Sequence, residues 1–512
     1  MTARYANLCS SIALEHFGPI VQSVVDELFT RGPRTLKLLH QSIRIPLVKL
    51  KESLCSLIKH GLVSYHRDEG SMIYSLQQDK FILILRYPRY MFFVKNVCGD
   101  ESERMLEEVL KHGYLTASQI IINTYKKIQQ SSGGNVQPSL SSLKNNFDLV
   151  LKNQFLIRDL CTNLQSDCEE KPAFILPKLN LSAVENIIKG VKDDPEDSKI
   201  YFKVNFDRLT QDFRDQVIVS AIRTKFDDNA AELMRQLLFL MYLRTASWAD
   251  TSNPIPYTEI KDAVRKLEYP RLLQYLDQYL TLLAEDKCQF IKRVGDSGGG
   301  QYSINMKQAF NQLAWSTLEN VVLERFGSDA VRIFRLIPTK KYIEQAQILQ
   351  LAMMSEKKAK CLMFLLVSNN FIQLQELKKT ASSAALAKVF LLYHVDLDRI
   401  SRQVIRDCHH ALYNVRQRRE HEMIVNKRLI EKKLRMQTFI SNMKEHGATE
   451  EQLAEIEELM TPSEKQQLEQ VQNVIKKLSA TELHIDETLF VLTMYKRYHE
   501  NPPKKLVDKS RD

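Results

Sequence analysis

Two tryptophans, 15 glycines and 15 prolines are few for a chain of 512 residues. That scarcity leaves little room for long irregular segments. Long apolar runs are missing too. The longest, residues 237–243, falls far short of the roughly 18 needed to cross a bilayer, so no membrane partner is expected. No apolar leader with a cleavage site follows Met1, which points to residence inside the cell. The eight cysteines include no C-x-x-C pair, and only Cys161 and Cys168 approach the spacing of zinc ligands. Reduced, buried thiols are therefore expected, with no metal and no cofactor. No GxxxxGKS/T loop, HExxH helix or nucleophile elbow occurs, so nothing in the sequence supports an active site of its own.

What the chain does have is a repeated phrase. From Pro46 it reads as an amphipathic helix, a glycine stop at Gly61, a short apolar strand, the polar turn 67–70 and a second apolar strand ending at Leu76. The same order returns at residues 143–177, 270–304 and 355–395. A helix that runs straight into a two-stranded β-ribbon is the core of a winged helix. Four copies imply a protein that holds surfaces and nucleic acid in place rather than one that turns over a substrate. Size agrees, since 512 residues with 44% apolar content suit roughly three to five globular domains. The net charge of +10 attracts phosphate backbones or acidic proteins, although it is modest for this length.

The first copy is the clearest. Helices are predicted over residues 5–17 and 19–30, with Ile20, Val24, Val25 and Leu28 on one face. Thr35 can N-cap a helix over 36–42, and Pro46 suits the first turn of the third helix. Leu47, Leu50, Leu54, Leu57 and Ile58 make that helix's core stripe. Gly61 stands where a left-handed residue is wanted, ahead of strands 62–66 and 71–76. The second copy takes helices 101–112, 117–128 and 140–153, a loop at 131–134, strand 155–158, an acidic wing at 167–170 and a returning strand at 173–176. The charged stretch 182–199 reads as a linker. A long helical stretch over 206–243 opens the third copy, which continues with helix 270–284 and strands 290–293 and 301–304. The fourth uses helix 355–369 and strands 371–375 and 389–394, joined by a long wing at 376–388. The domain limits are thus 1–84, 85–181, a linker at 182–204, 205–308, 309–395, 396–480, and a C-terminal helix and tail at 481–512.

After Asp396 the periodicity changes. Leu397, Ile400, Val404, Cys408, Leu412, Val415, Met423, Ile430 and Leu434 recur at mostly three- and four-residue steps, the seam of a long helix. Gly447 interrupts it. Thr461-Pro462-Ser463-Glu464 is a capping box that restarts a helix with Leu468, Val471, Ile475 and Leu478 inward. Residues 396–445 carry 12 Lys/Arg against 7 Asp/Glu, and residues 446–480 carry 3 against 7. Opposite charge favours an antiparallel coiled-coil hairpin. The expected fold is mainly α, with α+β units: four tandem winged helices and a C-terminal hairpin.

One motif looks catalytic. Residues 295–300, GDSGGG, copy most of the GDSGGP around the nucleophile of trypsin-like proteases. That chemistry needs a His base and a buried Asp converging on Ser297. Here the flanks are a helix and two short strands, and the glycines suit a hairpin tip that needs positive φ. His409 and His410 read as a solvated pair. Basic residues offer more. In a winged helix the third helix can enter a groove while the wing touches backbone, with Lys and Arg on the phosphates. The DNA-binding candidates are Arg31, Arg34, Lys37, Arg44, Lys49, Lys51 and Lys59 in the first copy, and Arg332, Arg335, Lys340 and Lys341 in the fourth, with Arg325 near the latter. The outer face of 47–59 lacks the Arg, Asn and Gln density of direct base readout, so contact blind to sequence is expected. Arg402, Arg406, Arg416, Arg418 and Arg419 on the hairpin are candidates for docking a partner.

Several phrases resemble one family along essentially the whole chain. They are LCSLIKHGLVSY (54–65), LRYPRY (85–90), NFDRLTQDFRDQVIVSAI (205–222), LDQYLTLLAED (276–286), GDSGGGQYSIN (295–305), ERFGSDAVRIFRLI (324–337) and ETLFVL (487–492). The family is the RPC-three or RPC-eighty-two subunits, the largest member of a heterotrimer specific to RNA polymerase III. The resemblance implies four extended winged helices around the coiled coil. It implies docking on the clamp of the polymerase's largest subunit, beside the two smaller heterotrimer subunits. It further implies recruitment through the TATA-binding-protein-containing initiation factor, and help in opening or holding DNA. A nuclear location follows, with a cytosolic pool through the enzyme's part in sensing AT-rich DNA in innate immunity. Catalysis would belong to the two largest polymerase subunits. The residues alone leave a second reading open, a free-standing winged-helix DNA-binding regulator.

Overall fold

A computed structural model describes residues 3–68, 70–131, 139–159, 179–189, 195, 197, 200–267, 269–378, 389–445 and 460–500. The chain divides into two units, Met1–Phe213 with Tyr413–Lys476, and Arg214–Leu412 with Lys477–Asp512.

The first module runs α1 (Ala3–Phe17), α2 (Pro19–Arg31), β1 (Arg34–Thr35), α3 (Leu36–Ile43), α4 (Leu47–Lys59), β2 (Val63–Asp68), β3 (Ser71–Leu76) and α5 (Asp79–Leu85). Every element predicted for this copy is present. β3 lies between β1 and β2, antiparallel to both, with Thr35 opposite Ile73 and Val63 opposite Leu76. Val24, Val25, Leu50, Leu54 and Leu57 fill the core beneath. α5 seals it with Phe81 and Ile84, and the Tyr5 hydroxyl donates to the Gln78 carbonyl at 2.8 Å.

The second module runs α6 (Tyr87–Cys98), α7 (Asp100–His112), β4 (Leu115–Thr116), α8 (Ala117–Ser131), α9 (Leu140–Lys152), β5 (Leu156–Asp159), α10 (Leu181–Ile188) and β6 (Tyr201–Val204). β6 pairs with both β4 and β5. The strand that completes this sheet is therefore 201–204. The segments predicted as returning strand (173–176) and acidic wing (167–170) lie outside the described residues, as do most of the predicted loop at 131–134 and Cys161 and Cys168. The predicted linker at 182–204 is corrected as well. α10 buries Ala183 and Val184, and Phe202 meets Phe147 edge-on at 5.5 Å in the core. Asp197, inside the stretch that composition marks as solvated, is buried. Its carboxylate accepts the Ser118 amide at 2.7 Å and the Ser118 hydroxyl at 2.8 Å. It thus satisfies a free N–H at the start of α8 from 79 residues away. Gly113, ahead of β4, has φ +82, and a Cβ there would come within 2.5 Å of the Lys59 carbonyl, so only glycine fits between the two modules.

The third module runs α11 (Phe206–Lys225), α12 (Asp228–Arg244), β7 (Ile255–Pro256), α13 (Tyr257–Arg265), α14 (Pro270–Gln274), α15 (Leu276–Glu285), β8 (Ile291–Gly295) and β9 (Gln301–Ile304). The helical stretch expected over 206–243 consists of two helices, because Asp227 caps α12 by accepting the Ala230 amide at 2.7 Å. The first turns of α11 also belong to the second module, where Phe206 stacks on Tyr87 and Phe213 on Tyr90, with ring centres 5.6 and 5.1 Å apart. The third helix is likewise broken, at Tyr275.

The fourth module runs α16 (Met306–Phe326), α17 (Ser328–Lys340), β10 (Ile343–Glu344), α18 (Gln345–Leu351), α19 (Glu356–Ser368), β11 (Gln373–Lys378) and β12 (Val389–His394). Residues 379–388 of the predicted wing lie outside the described residues. All four sheets share one order, with the last strand in the middle and a two-residue strand on one side.

Three of the third helices end in the same way, whereas α15 stops at Glu285 with Asp286 extended and the left-handed residue follows four positions later. Gly61, Gln154, Gln289 and Asn370 have φ of +66, +61, +50 and +59. The amides of Gly61 and Leu62 donate to Ile58 and Leu57, those of Gln154 and Phe155 to Leu151 and Val150, and those of Asn370 and Phe371 to Val367 and Leu366. These are Schellman pairs. The next residue is buried in every copy: Leu62, Phe155, Phe290 and Phe371.

The C-terminal region comprises α20 (Leu397–Val425), α21 (Lys427–Glu445) and α22 (Pro462–Glu500). The predicted boundary at 480 falls inside α22, and the break assigned to Gly447 lies outside the described residues. The pairing is antiparallel: Lys432 meets Glu464 at 2.7 Å and the Gln467 amide donates to Asn426 at 3.3 Å. The capping box forms as read. The Thr461 amide donates to the Glu464 carboxylate at 3.1 Å and the Glu464 amide to the Thr461 hydroxyl at 3.3 Å. Lys432 and the Thr461 amide hold the Glu464 carboxyl below its usual range. The seam of the first helix holds at Leu397, Ile400, Val404, Cys408 and Leu412, but Met423 and Leu434 are exposed and Asn426 is buried instead. In the second unit, Tyr498 of α22 stacks on Phe310 at 5.6 Å and receives a hydrogen bond from Arg214 at 3.0 Å. Burial lifts the thiols of Cys9 and Cys408 to about 12 and about 11. Cys55 and Cys361, against expectation, are exposed on third helices.

Two outcomes are expected. Phe202→Ala should cost about 3–5 kcal/mol by opening a cavity in the second module, so hydrogen exchange should speed up at 115–116 and 156–159 and stay unchanged in the first module. His409, read from sequence as solvated, is half-buried, and burial lowers its pKa from 6.5 to about 4. The unfolded chain then takes up the proton first, so stability is full above pH 6.5 and falls as pH drops toward 4. Exchange around residue 409 at pH 5 should be faster than in a His409→Asn variant, and should match it at pH 7.5.

Candidate nucleic-acid and partner-docking surfaces

The basic residues of the first module separate into two groups. Arg31 and Arg34 both turn toward Glu27, at 3.3 and 3.6 Å, and both donate to the Ser42 hydroxyl. Their charge is partly spent inside the module, and the Glu27–Arg31 spacing of four residues was the available signal. Lys59 places its ammonium 5.8 Å from the centre of the Tyr114 ring in the second module. Lys37, Arg44, Lys49 and Lys51 are exposed on α3, α4 and the turn between them. Among the described residues they form no ion pair. They share that surface with Leu38, Leu47 and Val48, all exposed. The result is a basic and apolar face, not one built of groove-reading amides and guanidiniums.

In the fourth module, Arg335 pairs with Glu319 at 2.7 Å and Arg332 donates to the Ala352 carbonyl at 3.3 Å. Arg325 pairs with Asp407 of α20 at 3.3 Å and lies 6.0 Å from the Phe371 ring, so it serves packing. Lys340 and Lys341, at the end of α17, are exposed and form no ion pair among the described residues. α19 presents Lys357, Cys361 and Phe364 outward, and Phe364 is 72% exposed. Sequence reasoning did not single out that aromatic.

The hairpin arginines divide more sharply. Arg416 has a side chain only 3% exposed and is bound to Glu15 of α1. Arg419 reaches the same carboxylate at 3.2 Å. Both were expected to dock a partner, and both instead fasten the hairpin to the first module. Nothing near Glu15 in the sequence announces a contact about 400 residues away. Arg402 pairs with Asp398 and, at 2.9 Å, with Glu500 of α22. Arg406 is exposed, and Arg418 is 62% exposed beside Glu422.

Ser297 stands in the turn between β8 and β9. Its hydroxyl accepts the Gln301 side-chain amide at 2.9 Å. Gly298, Gly299 and Gly300 have φ of +65, +90 and +117, the backbone that the turn reading required. Among the described residues, no cluster of His, Cys, Asp and Glu could hold a metal ion, and no helix is long and apolar enough to cross a membrane.

Comparison with known proteins bears on the whole length. A family model described as RNA polymerase III subunit RPC82 matches residues 166–313, and its helix-turn-helix domain matches 7–68. The C-terminal winged-helix domain of POLR3C matches 318–395, and the helical hairpin domain of subunit RPC3 matches 428–491. The human protein described as DNA-directed RNA polymerase III subunit RPC3 is 36% identical over 97% of this chain and 98% of its own. The zebrafish (Danio rerio) protein of the same description is 33% identical over the same shares. The chain belongs to the RPC3 family of RNA polymerase III subunits. The Dictyostelium discoideum member is more distant, 23% identical over 46% of this chain. The family's hairpin domain runs to residue 491, past the boundary expected at 480 and in keeping with one continuous α22.

The division of the arginines predicts opposite outcomes for two charge reversals. Arg416→Glu sets like charges together against Glu15 in a partly buried place and should cost at least about 2 kcal/mol. Arg418→Glu should stay within about 0.5 kcal/mol. Limited proteolysis between α1 and the hairpin, with thermal melting, checks both.

Proposed function

We propose that the chain is a non-catalytic subunit of RNA polymerase III, docked on the clamp of the largest subunit beside two smaller heterotrimer subunits. It supports recruitment through the TATA-binding-protein-containing initiation factor, opening of promoter DNA, and initiation on small-RNA genes in the nucleus. The observation that carries this reading is the near-full-length identity to curated RPC3 proteins. Four winged helices on a helical hairpin agree with it. DNA contact in this reading is sequence-blind. It falls to the cations left outward, Lys37, Arg44, Lys49 and Lys51 in the first module and Lys340 and Lys341 in the fourth. Arg406 and Arg418 remain outward for docking protein.

Purification of the tagged chain from nuclear extract is expected to bring down the two largest polymerase III subunits in near-equal amounts, and their absence would refute the reading. DNA affinity of the isolated chain should fall steeply with salt and ignore sequence. Lys49→Gln with Lys51→Gln should lower the slope of log K against log salt by about 2 for every sequence tested. A sequence-selective footprint would instead favour a free-standing regulator.

A further inference from the structure

At the end of α20 three apolar residues in succession face outward. Met423, Ile424 and Val425 are 49%, 63% and 64% exposed. Successive helical positions are about 100° apart, so three in a row cover the outer half of the helix. Exposed runs of this kind are avoided on free surfaces and mark places of contact. The helix does not unravel at this point. The Asn426 amide donates to Glu422 and the Ile430 amide to Asn426, at 3.2 and 3.0 Å, so the face continues from α20 into α21. Ile424, Arg428, Glu431 and Arg435 follow one another along it at three- and four-residue steps. Leu434, also exposed, adds a second apolar point. Asn426, on the opposite side, is the residue that meets α22.

We propose that this face of the hairpin, from Met423 to Arg435, receives an acidic amphipathic helix of another protein. The apolar run supplies the contact area. The charge around it sets the partner. Lys427, Arg428 and Arg435 surround the apolar residues; Lys427 and Arg435 share the one acid among them, Glu431, at 3.8 and 3.4 Å, and Arg428 has no ion pair among the described residues, which leaves the face net positive. A second copy of this chain would bring like charge against like, so the partner is not another copy. Nucleic acid would meet the cations and leave Met423, Ile424 and Val425 in water, so a protein helix with acidic residues flanking an apolar stripe fits better. The proposal deepens the docking role given above and rests on membership in the polymerase.

The test places the photo-crosslinker p-benzoylphenylalanine at position 424 of the full chain, in polymerase purified through that chain. Position 424 is outward, so the melting curve should be unchanged. Mass spectrometry should find an adduct to a peptide of another subunit that is rich in Asp and Glu, with apolar residues at helical spacing. Arg428→Glu with Arg435→Glu should lower its yield at least fivefold. The proposal is overturned by adducts confined to nucleic acid, to a second copy or to a neutral or basic peptide, by no adduct, or by a yield that ignores the reversals. The same preparation is scored for the two largest polymerase subunits. Their absence counts against the proposed function, whereas their presence without the adduct counts against the surface.

Discussion

The left-handed residue between each third helix and its ribbon is the constraint from which the four modules follow. Gly61, Gln154 and Asn370 reverse the sign of φ directly at the helix end and Gln289 four residues past it, each one residue before the ribbon's buried residue. The chain then turns back across the end of the helix and drops Leu62, Phe155, Phe290 or Phe371 into the core. A strand begins at once, and its partner must return antiparallel beside it. One edge of that returning strand stays open, and the two residues before the second helix of the turn fill it. Only the first copy has glycine at this step. For an L residue the left-handed turn costs roughly 1–2 kcal/mol. Burying the following leucine or phenylalanine contributes roughly 1.5–3 kcal/mol, so three non-glycine stops are tolerated.

The helix-plus-ribbon phrase was legible because its signals are local: a stripe at helical spacing, a stop, and two alternating strands. The capping box at Thr461 and the turn at residues 295–300 were legible for the same reason. What escaped was set by distance along the chain. β6 is strand because β4 and β5 hold it on both sides, and four residues give no period strong enough to say so. Asp197 looks like part of a solvated acidic run until its long-range bond to Ser118 is known. The two-residue strands are too short for any alternation, and the break at Tyr275 has no evident sequence cause.

The candidate surface was legible in part, and charge explains why. A count of Lys and Arg finds every cation but not its partner. Arg31 is close in sequence to the acid it meets, whereas Arg416 and Arg419 share an acid some 400 residues away. The opposite net charges on the two hairpin segments suggested a Coulombic zipper. Across the pairing Lys432 meets Glu464 and Gln467 meets Asn426, while two of the arginines turn to the first module. Several cations that looked like an interface are thus internal fastenings.

What the third helices show outward bears on which kind of partner such faces suit. A helix that reads a groove needs side chains that donate in pairs to base edges. α14 and α15 of the third module expose Arg271, Gln274 and Gln278 beside Leu273, but α4 offers Leu47, Val48, Lys49 and Lys51, and α19 offers Lys357 and Phe364. Lysine is a point charge that attracts phosphate without selecting sequence, and exposed leucine, valine and phenylalanine gain from contact with protein. Such faces favour docking, with phosphate attraction as a supplement that salt weakens. That balance suits the proposed role, since a large assembly would supply the position on DNA that these helices do not specify.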